Sequence, residues 1–503
     1  MDKTMQIVNH RVFAHLNGLA IGSVAQGLLE TGVLDRLFKD HQKKIYLDGL
    51  VANHCITLGY TRLAMETLCL AGLLDIQDEG GVSFSMQVTP RGKAWLNHRR
   101  LYRQYNELLT TSLESNAQAY MCRISDDDKS TPDDNTLTLV HMHLYAPSIC
   151  LIMLRLVEQG GQLDMVKDWN SLIWQDILRR EGWVSISNSG KVSIPNKVGL
   201  LFAPLYAYPI SYFPLLRQIP DLLTGEKTNT PTIDRELDIN FSGKVFRGPC
   251  RDLFLNQLLP LFNTEDVAGQ PNVIVDTGCG DATVLIEAYQ AIRKETIRGQ
   301  HLHDYPLLLV GVEYEIAAIN VAKQKLQQEG LRHLVIFGDI SKPADIHETL
   351  NKYNIHVWDI LHISKSVVHN RVFTHPNPEN AYSNNIPNLN MSYVDVDGQS
   401  VSSHSLFNNL VSFFRLWSPW ISHHGMIVIE SHCWSPMVSQ IANDSYPMNL
   451  VKTTHNFSTQ YLVPAEFYEG AIALSGLVTI KTNSIFAAPG LPPTMTIKHL
   501  KNR

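Results

Sequence analysis

The chain reads as an α/β protein: a doubly wound sheet in its second half, preceded by a large, mostly helical N-terminal region with winged-helix-like units. Three observations predict this. An apolar strand runs into a tight glycine turn at Val273-Ile-Val-Asp-Thr-Gly-Cys-Gly-Asp-Ala282. Downstream, apolar strand-like runs alternate with helical patterns, each run closing on a polar residue, as in sheets that bind ligands at their strand ends. In the first half, a helix stopped by glycine and followed by a two-stranded wing occurs twice.

A chain of 503 residues predicts two or three domains. Hydrophobic content of 44% with 18% charged residues suits an ordinary soluble protein, and a net charge of -6 leaves no electrostatic footprint for nucleic acid. The seven cysteines form no C-x-x-C pair and read as reduced thiols of a cytoplasmic protein. Gly18 to Leu29 is too short and polar to span a bilayer, so no membrane association is expected.

The first repeat runs from Leu68 through Gly72 and Gly80-Gly81 to Val88-Thr-Pro-Arg-Gly92. The second runs from Leu178 through Gly182 and Gly190 to Val192-Ser-Ile-Pro195 and Gly199. Without a basic stripe, such units suit dimerisation or a lid better than DNA. Glu226 to Thr232 is polar and breaks structure, which predicts a domain of residues 1–232, a linker, and a second domain over 240–503.

In the glycine turn the acid precedes the glycines. A third glycine would complete a dinucleotide fingerprint, but Ala282 stands there, and Asp276 would repel a phosphate. A carboxylate at that point suits a cationic ligand, and S-adenosylmethionine (SAM) carries both an ammonium and a sulfonium. Gly278 and Gly280 let the backbone bend and approach the ligand. The run Pro306 to Tyr314 predicts a buried parallel strand whose Glu313 binds ribose hydroxyls. A helix with Ala317, Ala318, Val321, Ala322 and Leu326 on one face follows. A strand over Leu334 to Phe337 then closes on Gly338-Asp339-Ile340, where Asp339 is placed for the adenine amino group. A fourth strand is predicted over His356 to Leu361 and a fifth over Ile427 to His432, with Asn380 to Asp397 as a mobile loop between them.

Three polar clusters follow these strands. In Ser364 to Arg371, His369 offers a base and Arg371 a bidentate grip on an anionic substrate. Glu430 and His432 close the fifth strand. His455 and Gln460 lie in His-Asn-Phe-Ser-Thr-Gln-Tyr461, and with His432 they are candidate ligands for one divalent or trivalent metal.

Taken together, several motifs resemble the SAM-dependent C-methyltransferase domains of polyketide-synthase loading modules that carry an acetyltransferase-like (GNAT) domain, as in apratoxin-type starter-unit assembly. They are Gln270-Pro271, Asp276 to Asp281, Thr296-Ile-Arg-Gly299, Gly311-Val-Glu-Tyr314, Gly338-Asp-Ile340, His369-Asn-Arg371, Glu430-Ser-His432 and Thr454 to Tyr461, with Asn240-Phe-Ser-Gly243 upstream. The resemblance implies a class I methyltransferase fold with an N-terminal lid. It implies transfer to the α-carbon of a malonyl group on an acyl carrier protein, and a mononuclear iron or manganese held with the help of His455 and Gln460. Departures occur at Ala282, at Glu313 where an aspartate is usual, and at Ser364-Lys365-Ser366-Val367-Val368, where an arginine and an aspartate are common. Two other functions fit the same residues: a metal-independent O-methyltransferase acting on a small phenol or acid with His369 as base, and an inactive scaffold that retains the cofactor fold.

Overall fold

The structure is a computed structural model and describes residues 3–78, 84–110, 135–159, 162–164, 178–179, 185–193, 203–226, 232–375, 391–442, 446–486 and 490–503. The chain divides into two compact units, neither continuous in sequence. One comprises Met1–Leu237, Asn388–Ser402 and Ser435–Thr459, and the other comprises Asp238–Pro387, Ser403–Trp434 and Gln460–Arg503. Where the sequence predicts one boundary between 232 and 240, the structure divides at Leu237/Asp238 and gives two later excursions to the N-terminal unit.

The C-terminal unit is built on seven strands, numbered here in chain order: β1 Val273–Thr277, β2 Leu308–Glu313, β3 His333–Phe337, β4 Ile360–Lys365, β5 Met426–Ser431, β6 Leu477–Ile485 and β7 Met495–Asn502. Their spatial order is β6-β7-β5-β4-β1-β2-β3. The first five strands pair in parallel, and β7 runs antiparallel to both β5 and β6. Four helices matter for the site: α1 Thr283–Glu295, α2 Ile316–Gln328, α3 Pro343–Lys352 and α4 Ser403–Trp417. Chain order reverses on either side of β1 and β4, so a crevice opens at their carboxyl ends, where doubly wound sheets take ligands. Apolar side chains from β1, β2, β4, β5 and α1 form the core behind it, including Ile274, Leu309, Ile363, Ile427 and Leu285.

Several elements differ from the pattern the sequence predicts. The fourth strand begins at Ile360 because Val357–Asp359 forms a 3-10 turn, and it runs buried through Lys365. Ser364 and Lys365 are thus strand residues rather than part of the loop after it. On α2 the buried face is Ala318, Ile319, Ala322 and Leu326, while Val321 is 41% exposed. The hairpin β6–β7 has no counterpart in the prediction. Of the expected loop Asn380 to Asp397, residues 380–390 lie outside the described residues, whereas Tyr393–Val394 is a buried strand paired with Ser400–Val401.

The N-terminal unit packs around two long helices, Lys3–Glu30 and Asn135–Glu158. Its core includes Leu16, Leu19, Val24, Leu144 and Ile152. Gly18 to Leu29 belongs to the first of these. Both helices have a stretch long and apolar enough to cross a membrane, His10–Glu30 and Asn135–Leu156, but their most apolar parts are 94% and 67% buried inside the protein. Two three-stranded antiparallel sheets share one arrangement, in which the last strand lies in the middle. The first is Ile45–Tyr46, Phe84–Val88 and Leu74–Asp78; the second is Gln162–Asp164, Lys191–Ser193 and Ser185–Ile186. Helices Leu47–His54 and Leu58–Leu70 precede the first hairpin. Of the second repeat, residues 180–184 and 194–199, with Gly182, Pro195 and Gly199 among them, lie outside the described residues, as do 227–231 of the linker.

Candidate active site

The glycine turn at the end of β1 is held in left-handed conformations that favour glycine. Gly278 has φ +78, and a Cβ there would stand 2.2 Å from Val367. Ala282 adopts φ 61 despite its side chain, at the head of α1. Asp276 is 1% exposed, and both carboxylate oxygens lack any hydrogen-bond partner. Burial pushes its carboxyl up to about 8, with the charges of Glu313 and Asp281 adding and that of Lys365 opposing. A buried carboxylate in this state lacks a cation, and the ammonium of SAM has the required charge.

The other expected cofactor residues are placed differently. Glu313 Oε2 accepts from the Gly280 amide at 2.9 Å, and Oε1 accepts from the amides of Tyr314 and Glu315 at 2.8 and 3.1 Å. Three of about four acceptor directions of the carboxylate are thus in use. Glu313 clamps the glycine turn through these three amides. Asp339 accepts from the Ser341 amide at 2.8 Å, which caps the turn after β3. Ile340 is buried, and its carbonyl accepts from Trp417 Nε1 at 2.9 Å.

Beyond β4, the turn Val368–Asn370 carries His369 against the end of β5. His369 Nδ1 lies 2.5 Å from Glu430 Oε1, with the two side chains 7% and 3% exposed. Glu430 also accepts from the amides of Val368 at 2.9 Å and Ser431 at 2.8 Å. Burial alone would raise its carboxyl. The charge and hydrogen bond of His369, then His432 and the Ser431 amide, outweigh that and hold it below the ordinary range. An ionised Glu430 only accepts, so Nδ1 of His369 donates in this bond, and whenever the ring is neutral its lone pair is on Nε2. The His369 carbonyl accepts from the Tyr461 amide at 2.7 Å, which fixes the backbone behind the ring. The sequence points to His369 and Glu430 separately. Their pairing comes from the parallel register that sets Lys365 beside Ile429.

Arg371 is held by bonds inside the protein. It is 2% exposed, donating from Nε to Asn409 Oδ1 at 2.9 Å and from Nη1 to the Val368 carbonyl at 3.1 Å. Arg371 ties the turn that carries His369 to helix α4.

His432 is likewise committed. Its Nε2 lies 2.8 Å from Thr496 Oγ1 and its Nδ1 3.3 Å from the Val463 carbonyl, and burial pulls its pKa down to about 4. Nδ1 donates to the carbonyl and Nε2 accepts from the hydroxyl, so no ring lone pair remains for a metal. His455 ends helix Met448–Phe457 in the N-terminal unit, with Nδ1 2.7 Å from the Val451 carbonyl and 3.3 Å from Tyr208 Oη. Gln460 is buried and opens the next segment of the C-terminal unit. Among the described residues no group of three or more His, Cys, Asp or Glu is arranged to hold a metal. With both ring nitrogens bonded, His432 does not complete a set with His455 and Gln460.

Residues 230–490 match the family model described as the AprA MT2-like domain. No curated protein matches the chain. Among solved structures, the CurJ carbon methyltransferase is similar at 12% identity, covering 97% of this chain and 92% of that one, with a TM-score of 0.43. An O-methyltransferase family 2 protein from Planctomyces limnophilus is similar at 10% identity, covering 98% and 95%, with a TM-score of 0.39. Human N-acetylserotonin methyltransferase is similar at 14% identity, covering 100% and 99%, with a TM-score of 0.30.

Proposed function

Because the chain belongs to the AprA MT2-like family of SAM-dependent methyltransferases with the class I fold, we propose that it methylates carbon: the α-carbon of a malonyl-like acyl group borne on an acyl carrier protein during polyketide biosynthesis. The observation that carries this reading is the buried His369–Glu430 pair. An α-proton between two carbonyls is too weakly acidic to leave unaided at neutral pH. His369 Nε2 takes it, and Glu430 stabilises the imidazolium while remaining ionised, a division of labour worth about 10²–10⁴ in rate. Bound SAM supplies an electrophilic methyl on sulfur. Asp276 holds the cofactor's ammonium, Arg371 keeps the His369 turn against α4, and His369 finally returns its proton to solvent.

A second reading gives the reaction an iron or manganese, with His455 as one of its ligands. In its favour, the Val451 carbonyl fixes the His455 tautomer with the lone pair on Nε2, the usual support behind a metal-bound imidazole.

The test is intact-protein mass spectrometry of malonyl-loaded carrier protein after incubation with SAM. The carrier should gain a methyl with wild-type protein, with or without chelator, and stay unmethylated with His369→Ala or Glu430→Gln. Turnover lost to chelator and restored by iron or manganese would favour the second reading. Methylation only of free phenols or acids would favour an O-methyltransferase, and SAM binding without any transfer a scaffold.

A further inference from the structure

Two buried ionisable groups, one acidic and one basic, stand near each other at the carboxyl edge of the sheet, and the His369–Glu430 pair uses neither. Asp276, near the end of β1, has no hydrogen-bond partner. Lys365 ends β4 and is 8% exposed; its ammonium donates to Ser242 Oγ at 2.5 Å. No carboxylate oxygen stands within 4.0 Å of it among the described residues. Strands β1 and β4 are parallel neighbours with Asp276 opposite Ile363. Lys365 is the second residue beyond Ile363, so strand alternation sets Asp276 and Lys365 on one face of the sheet.

The same face is covered by helix Arg235–Val245. A Cβ at Gly280 would stand 3.3 Å from Ile239, and one at Gly243 would stand 3.4 Å from Thr283 Oγ1. The helix therefore lies across the glycine turn and brings Ser242 to Lys365. That gives a place to Asn240-Phe-Ser-Gly243, a motif the reaction itself leaves unexplained.

An ammonium with one neutral acceptor and a carboxylate with none are both unfavourable in a buried site. Both become favourable if one ligand brings a cation to Asp276 and an anion to Lys365. The methionyl end of SAM carries an ammonium and a carboxylate on the same carbon.

We propose that Lys365 and Ser242 bind the α-carboxylate of the cofactor, and that Lys365 is the residue by which this enzyme selects SAM over sulfonium compounds lacking that carboxylate. Burial pulls the Lys365 ammonium below its ordinary range, against the raising effect of Cys250, Asp238, Asp276 and Glu430. A carboxylate arriving beside it secures its charge.

The proposal rests on SAM being the cofactor, and the experiment separates the two claims. Calorimetry on the full chain compares S-adenosylhomocysteine with its decarboxylated analogue, which keeps the amine and lacks the carboxylate. Wild-type protein should prefer the former at least tenfold. Lys365→Met should weaken S-adenosylhomocysteine and bring the ratio close to one, Lys365→Arg should keep part of the preference, and Ser242→Ala should lose a few-fold. A wild-type ratio retained in folded Lys365→Met overturns the proposal. So does methyl transfer lost in that variant with the ratio unchanged, which would move Lys365 to the acyl substrate. No binding of either compound to wild-type protein overturns the cofactor reading beneath it.

Discussion

Replacing Asp276 by asparagine should stabilise the cofactor-free protein at alkaline pH and make it blind to cofactor. Burial raises the Asp276 carboxyl from 3.8 to about 8, helped by Glu313 and Asp281 and opposed by Lys365. In the unfolded chain it ionises near 3.8. Between about pH 4 and 8 the folded state therefore keeps a proton that the unfolded state has lost, and stability falls as pH rises through that window. At about 1.4 kcal/mol per pH unit over roughly four units, ionising Asp276 costs the fold on the order of 5 kcal/mol by pH 9. An uncharged amide there carries an unsatisfied polar group worth about 1–3 kcal/mol, so Asp276→Asn should gain a few kcal/mol at pH 9 and little or nothing at pH 4. The assay is thermal and urea unfolding at pH 5, 7 and 9, with and without S-adenosylhomocysteine. Wild-type protein should lose more stability than the variant between pH 5 and 9 and recover it on binding cofactor. Parallel pH curves, or an equal cofactor shift in both proteins, would refute the role given to this carboxylate.

Other consequences are testable in the same preparations. Glu430→Gln should lower methyl transfer about 10²-fold or more while leaving S-adenosylhomocysteine affinity within two-fold, and calorimetry beside initial rates will show whether the two separate. Arg371→Lys loses at least one bond that ties the His369 turn to Asn409 and Val368. It should reduce kcat about tenfold, equivalent to about 1.4 kcal/mol, without changing the preference for acyl groups with a free carboxylate over their esters. Burial pulls His347, stacked on Trp420 at 4.5 Å, from 6.5 down to about 4. The unfolded chain binds its proton first as pH falls from 6.5 to about 4, so about 3 kcal/mol of stability is lost across that window. His347→Phe should flatten the acid limb of the urea midpoints. Ala282→Gly should stabilise by about 1 kcal/mol, because a left-handed backbone strains alanine and not glycine.

The parallel core of the C-terminal unit was readable because strands buried on both faces are continuous apolar runs. Val273–Thr277 and Leu308–Glu313 stand out in composition alone. The β6–β7 hairpin was not readable. Strand β6 is buried mainly at its ends, and β7 buries Lys498 and His499 through partners on other elements, Glu469 and the His424 carbonyl. The ends of β1, β2 and β3 could be picked out by their acids, but what each acid does depends on neighbours remote in sequence. Glu313 reads as a ribose ligand, but nothing in its own strand shows that it also holds the Gly280 amide. Arg371 reads as a substrate clamp, but nothing in its own turn shows that it also holds Asn409 of α4. His432 looks like a metal ligand until β7 supplies Thr496. His369 and Glu430 were each visible, but only the β4–β5 register pairs them.

The most direct test of the account is hydrogen exchange at the acyl α-carbon. Malonyl-loaded carrier protein is incubated in deuterated water with the enzyme and S-adenosylhomocysteine, so that the α-proton can leave but no methyl can transfer, and deuterium uptake is read by mass spectrometry. The His369–Glu430 mechanism predicts uptake with wild-type protein well above the enzyme-free rate, and none above that rate with His369→Ala. Wild-type uptake in His369→Ala, or carbon methylation by wild-type protein with no enzyme-dependent exchange, would contradict it.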